Sequence, residues 1–406
     1  MTPGRDRMLA AVCLFASMAL PCATLTWAAP AVPGSDIEFG AQQVNSTARL
    51  LAGLAPAYPS HRALAQSAAW KEHSAAMQSA WAQIRTGRVA AMRAWRVTQI
   101  PANCPAGTSL LYPFSGPDFF NAYWLFPECE TIVMFGLEHI GDVPRVESTT
   151  PRNFERLMRD VRAATADLVN RNYFITDNMT RQLRTAQLRG VAPVILLSMA
   201  LSGVEILRMA PQELGRPSNA LTEREVPAKR VPLRKPSGIA IDFRTHDTKA
   251  PKRLIYFTVD AADASLALYP EFLAFLRRFE PSTTLLKSAS YLLHGREFSR
   301  LRETLLDVSG FLVQDDSGLP FRTLTSRGWQ VRLHGTYAVP IAPFKRAFQP
   351  DLFAAYQSQH ADALPFRFGY NARDPRSGRG NVMVGRKHSA LGLGQSSTAE
   401  LVLPAQ

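Results

Sequence analysis

Apolar positions along the chain follow two periods. Over residues 59–95 they recur at helical spacing: Trp70, Met77, Trp81 and Ile84 fall on one face of a 3.6-residue turn. Gly87 is expected to separate two helices there. The period then shortens. Residues 108–114 (TSLLYPF) and 131–137 (TIVMFGL) read as strands. Between them lie the turn Ser115-Gly116-Pro117-Asp118 and an aromatic stretch, 119–126, expected as a short helix or loop. Two strands with so compact a crossover predict a βαβ unit and parallel pairing.

Three helices are expected next. Residues 153–172 are amphipathic, with Arg152, Arg156, Arg159 and Arg162 along one side; 176–188 follow, and 194–207 are apolar throughout. Residues 211–236 scatter Pro211, Pro217, Pro227, Pro232 and Pro236 among basic residues, the composition of a surface loop or linker. Strands are then expected at 239–243, 253–259, 284–286, 311–314 and 329–333, with helices at 270–279, 297–307 and 351–359. Beyond residue 371 Gly, Arg and Ser dominate. This alternation predicts an α/β or α+β class: a Rossmann-like mixed sheet flanked by helices, with an N-terminal helical segment. The expected division is a signal peptide (1–28), a flexible leader (29–56), an N-terminal helical and α/β part (57–210), the Pro-rich basic loop (211–236), a C-terminal α/β part sharing one core with the first (237–370), and a flexible tail (371–406).

The first residues set the compartment. Arg5 and Arg7 precede an apolar run at 8–20 that Pro21 ends, and Thr26-Trp27-Ala28 supplies small residues at the minus-three and minus-one positions of a cleavage site. This is the layout of a secretory signal peptide, and the run is shorter than the ~20 residues of a membrane span. The apolar stretch 191–201 contains Pro193 and soon meets Glu205, so it reads as a buried helix. No transmembrane segment is expected in the mature chain. The protein is therefore expected to be exported, to the periplasm or the medium. Of four cysteines, Cys13 and Cys22 leave with the signal peptide. Cys104 and Cys129 remain, and an oxidising compartment favours a disulfide between them. The loop it closes would contribute on the order of 3 kcal/mol.

Composition narrows the class. With 46% hydrophobic and 19% charged residues, wholesale disorder is excluded. The net charge of +13 is unusual. Outside the cytoplasm it points to an anionic envelope component as partner, with the four arginines of 152–162 as the candidate surface; nucleic acid is not expected. The basic residues are spread along the chain rather than packed into one run, which favours general solubility and weak non-specific attraction over a dedicated partner.

The candidate chemistry centres on Ser115-Gly116-Pro117-Asp118. A strand ending there puts a hydroxyl and a carboxylate at the carboxyl edge of the sheet, where open α/β sheets bind ligands. Gly116 permits close backbone approach. Glu138 ends the next strand on the same edge. Ser115, Asp118 and Glu138 are the candidate catalytic groups. The alternative is that Asp118 caps a helix and Ser115 bonds backbone. Lys287, Ser288, Ser290, Tyr291 and His294 form a polar cluster that could support nucleophilic or general-base chemistry, although no Gly-x-Ser-x-Gly or Ser-x-x-Lys pattern is present. Asp315 and Asp316 sit in a turn by composition. Gly116, Lys287, Tyr291, His294, Asp315 and Asp316 are the candidate binding residues. No zinc or calcium pattern occurs, so no metal is assigned and no cofactor is expected.

The strand, small-residue turn, helix and strand ending in an acid resemble the first part of a class I methyltransferase, where the turn and the acid hold S-adenosylmethionine. The single glycine of this turn and the export signal argue against that activity, leaving a Rossmann-like layout as what the resemblance implies. The order YPFSGPDF (112–119), VMFGLE (133–138), LKSASYLLH (286–294), LVQDDSGLPFR (312–322), LHGTY (333–337) and QPDL (349–352) resembles a family of uncharacterised exported bacterial proteins with no assigned activity, over residues 60–370. It implies export and no particular reaction. The functional expectation is an envelope enzyme, hydrolase-like, or a small-ligand-binding protein with its site at the SGPD loop. The alternatives are a non-catalytic binder of anionic envelope components and a structural or assembly factor.

Overall fold

A computed structural model describes residues 40–171, 188–214, 235–245, 250–370 and 378–387. Nine strands form one mixed sheet: β1 Ser109–Pro113, β2 Thr131–Gly136, β3 Glu205–Gln212, β4 Ser237–Arg244, β5 Lys252–Thr258, β6 Ser282–Leu286, β7 Ser309–Gln314, β8 Trp329–Gly335 and β9 Asn381–Lys387. Their order is β3-β4-β5-β2-β1-β6-β7-β9-β8. The run β5-β2-β1-β6-β7 is parallel throughout. β3 and β4 extend one side as an antiparallel pair, and β9 runs antiparallel between β7 and β8. Numbered by appearance, the five parallel strands stand 3-2-1-4-5, the doubly wound order. From β1 the chain winds one way through β2 and β5, then returns to the other side of β1 for β6 and β7. The topological switch point therefore lies between β1 and β6. This is the α/β class expected, with strands of both halves in one sheet.

Both faces of the parallel strands are buried, so their side chains divide by parity rather than by polarity. Leu110, Tyr112, Ile132, Met134, Leu254 and Tyr256 pack into one core with the helices Ala41–Leu51, Ala68–Ile84, Ala90–Gln99, Phe119–Leu125 and Ala192–Leu201. Leu111, Val133, Phe135, Ile255, Phe257 and Leu286 pack into the other, with Asp263–Leu268, Pro270–Arg277 and Ser299–Val308.

Several expectations change. Within the stretch expected as a flexible leader, Ala41–Leu51 is a helix whose Val44, Ala48 and Leu51 are fully buried; small residues hid its apolar face. Gly87 does not break the helix: Arg85–Val89 is a π-turn that joins Ala68–Ile84 to Ala90–Gln99. The apolar helix ends at Leu201, and residues 205–207 belong to β3, whose exposed residues include Glu205 and Arg208. The expected tail contributes β9, because Val382, Met383 and Val384 are buried between β7 and β8. The signal peptide, the helix expected at 176–188 and most of the Pro-rich loop lie outside the described residues, apart from Leu188 and the ends of that loop. Among the described residues no helix is long and apolar enough to cross a membrane. Cys104 and Cys129 form the disulfide. Both precede their strands, so it ties the amino ends of β1 and β2 and lies on the edge opposite the SGPD turn.

His334, near the end of β8, is fully enclosed, with its ring edge-on to Trp95 at 5.2 Å. Neither ring nitrogen has a hydrogen-bond partner, and the nearest carboxylate, Asp362, is 3.8 Å away. Burial lowers its pKa to about 4, Asp362 opposing. The unfolded histidine takes up its proton near 6.5. Between those values the unfolded chain binds more protons, so this side chain's contribution is present above pH 6.5 and lost as pH falls toward 4. We predict that His334→Phe removes about 2 kcal/mol of the stability lost between pH 7 and pH 4.5. Urea denaturation of both proteins at the two pH values measures this; an unchanged loss would refute it.

Candidate functional site

The carboxyl ends of β1, β6 and β7 bring the candidate residues together. β1 leaves the sheet through Phe114, at φ +54°, and Gly116, at φ +51°. That reversal turns Asp118 back over the strand. Its carboxylate caps the helix Phe119–Leu125, accepting from the Asn121 N–H at 3.2 Å and the Asn121 side chain at 2.9 Å. It also accepts from the Tyr112 hydroxyl at 2.8 Å. The cap expected as the bland fate of Asp118 is therefore present, but it is not the whole of it. Lys287, the residue after β6, donates to Asp118 Oδ2 at 2.6 Å, and both side chains are almost completely buried (1% and 2% exposed). Burial lowers the Lys287 pKa, while Asp118 and then Asp315 oppose the shift.

β7 delivers the second pair of carboxylates. Asp315 accepts from the Ser288 N–H at 3.0 Å through Oδ2, and from the Ser317 N–H at 3.0 Å and the Ser317 hydroxyl through Oδ1. Burial raises its pKa, and the neighbouring Asp316 raises it further. Asp316 accepts from the Tyr291 hydroxyl and, at 2.8 Å, from the Asn381 amide. Burial and then Asp316 push the Tyr291 pKa far up, so its hydroxyl stays a donor.

Backbone strain is concentrated at the same place. Among the described residues, Phe114 and Ser288 are the non-glycine residues with positive φ. They follow β1 and β6, the two strands that flank the switch point. Ser288 has φ +64° and ψ −84°, and its buried hydroxyl has no hydrogen-bond partner. Residues held in such conformations cost about 1–3 kcal/mol and cluster at active sites.

A strap closes the cluster. Phe368 lies over Lys287, with Nζ 5.7 Å from the ring centroid. Gly369, at φ +67°, lies so close to Asp315 that a Cβ there would stand 2.0 Å from Oδ2. Phe344 stacks on Tyr291 with centroids 4.4 Å apart, and Tyr370 lies parallel beyond it.

The other candidates have separate partners. Ser115 donates to the Gly116 carbonyl at 3.1 Å, a local turn contact. Glu138 folds back over Gly136, where a Cβ would stand 2.5 Å from Oε2. Burial raises its pKa, and its bond with Tyr256 opposes that. His294 bonds the Gly318 carbonyl at 2.8 Å, tying the turn after Ser288 to the turn after β7. Burial lowers its pKa. Outside the candidate set, Asp263 caps the helix Ser299–Val308, accepting from the Arg300 N–H at 2.8 Å. On the arginine-rich helix, Arg162 meets Glu72 at 3.2 Å and Arg159 lies 4.0 Å from Glu155. No cluster of three or more metal-ligating side chains occurs among the described residues.

Sequence reasoning missed Tyr112, Asn121, Asn381 and Arg88. Tyr112 lay in an apolar strand motif, and Asn381 in the expected tail. Arg88 is carried by the π-turn, a feature frequent at functional sites. Burial lowers its pKa to about 10, with Asp118 opposing. Two surface clefts, of about 670 and 650 Å³, contain none of the cluster residues. The cluster side chains themselves are buried, with Phe368 and Gly369 packed against them. Compared with family models, curated proteins and solved structures, the chain matches none.

Proposed function

We propose that this chain is an exported enzyme of the hydrolytic type, acting at the carboxyl edge of β1, β6 and β7. The observation that carries the reading is the convergence of Asp118, Lys287, Asp315 and Asp316, from three strand ends, in a buried cluster at the switch point. Buried charges are poor stabilisers, whereas groups displaced from their ordinary pKa by burial and by one another suit acid–base work. Asp315 is the proton acceptor. Lys287 faces the developing negative charge, and Asp118 holds it. Tyr291 and Asn381 hold Asp316. The strap through Phe368 and Gly369 excludes water when closed and lifts to admit substrate.

The test is a panel of p-nitrophenyl carboxylic esters, phosphoesters and glycosides. Turnover in at least one class is expected, about 10²-fold or more slower in Asp315→Asn. Because Asp315 acts deprotonated and its pKa is raised, the rate should climb with pH above the ordinary carboxylate range. A folded protein that turns over none of the panel would sink the reading.

A further inference from the structure

The conformation of Ser288 carries more than a place in the cluster. We propose that Ser288 is a covalent nucleophile and that the chemistry is acyl transfer, with a carboxylic ester as the substrate class. This inference rests on the hydrolytic reading above and narrows it.

Three observations meet at this residue. It follows β6, a central parallel strand beside the switch point, and opens the helical turn Ala289–His294. Its backbone is strained, at φ +64° and ψ −84°. Its hydroxyl is buried and bonded to nothing, although a serine in a turn ordinarily bonds its own backbone. A strained strand–serine–helix turn presents a hydroxyl at the carboxyl edge of an α/β sheet, the arrangement of a nucleophile elbow. The local sequence Leu286-Lys287-Ser288-Ala289-Ser290 lacks the flanking glycines that advertise such a turn, so it has no recognisable signature. Here the strain is held from outside: Asp315 accepts the Ser288 N–H at 3.0 Å, and the Lys287 N–H donates to the Ser290 hydroxyl at 3.2 Å. Asp315 is thus held against the Ser288 main chain, and the proton transfer takes a turn of the free hydroxyl toward that carboxylate. A carboxylate made more basic by burial and by Asp316 is a matched acceptor for a hydroxyl proton.

The step balances within the site. Ser288 Oγ attacks the acyl carbon and forms an O–C bond while its proton passes to Asp315. The tetrahedral adduct collapses, the C–O bond to the alcohol breaks, and Asp315 returns the proton to the departing oxygen. Water, deprotonated by Asp315, then attacks the acyl-serine, releases the carboxylic acid and restores the hydroxyl. Lys287 Nζ provides the positive charge beside the adduct.

A fluorophosphonate probe tests this directly. Oγ displaces fluoride from phosphorus, and the adduct is located by peptide mass mapping of the intact protein. Labelling at Ser288 is expected, with none in Ser288→Ala and at least a tenfold slower reaction in Asp315→Asn. Alanine keeps the strained backbone, so Ser288→Gly is the second variant; it should fold with an unchanged or higher Tm and take no label. Ester turnover in wild type that persists within threefold in a folded Ser288→Gly would overturn the nucleophile and leave a hydrolase that activates water directly. Absence of both labelling and turnover would overturn the hydrolytic reading as well.

Discussion

Lys287→Met is expected to destabilise the protein by about 3 kcal/mol, because it leaves Asp118 charged and buried without its cation. The loss should fall at the low end of the range for broken buried pairs, since Tyr112 and Asn121 still donate to the carboxylate. Adding Asp118→Leu removes the stranded charge. The double variant should recover only part of the loss, because Asp118→Leu also removes the helix cap and the acceptor of the buried Tyr112 hydroxyl and Asn121 amide. Urea denaturation of the two singles and the double gives the coupling energy. Strictly additive losses would mean that the two side chains do not depend on each other.

Gly369→Val is expected to dislodge the strap. Its φ of +67° disfavours a β-branched residue, and the new Cβ would stand 2.0 Å from Asp315 Oδ2. Strain and overlap together should cost about 2–4 kcal/mol if the strap stayed in place. Lifting the strap relieves both the strain and the overlap, at the cost of exposing Phe366 and Phe368, which are buried in the core. Amide exchange should therefore quicken at 366–370 and around Ser288, while β1, β2 and β6 keep their protection. Global unfolding without local opening would show that the strap is an inseparable part of the core.

The fold was legible where apolar period and turn chemistry agreed. β1, the turn at Ser115–Asp118, the following helix and β2 stand close to where the pattern puts them, because four to six apolar residues bounded by Gly, Pro and Asp leave few alternatives. The helix Ala41–Leu51 and the strand Asn381–Lys387 were not legible. Each is decided by tertiary burial of a few side chains, such as Val44, Leu51 and Val382, inside polar surroundings. The same distinction runs through the site. Asp118, Lys287, Tyr291, Asp315 and Asp316 were conspicuous as polar residues beside apolar runs, but nothing in the linear order joins Lys287 to Asp118 or Asn381 to Asp316. Winding order brings them together. The strain at Ser288 leaves no trace in its neighbours, because Asp315, distant in sequence, holds it.

The central claim is that the cluster serves chemistry rather than folding. Its most direct test is turnover of the ester panel by the double variant Asp118→Leu/Lys287→Met, at conditions where circular dichroism and the urea midpoint show a folded chain. The account predicts a stable protein whose hydrolysis is at least about 10²-fold slower than wild type. A folded double variant with wild-type turnover would contradict it, and the buried charges would then be a device for holding the three strand-end turns together.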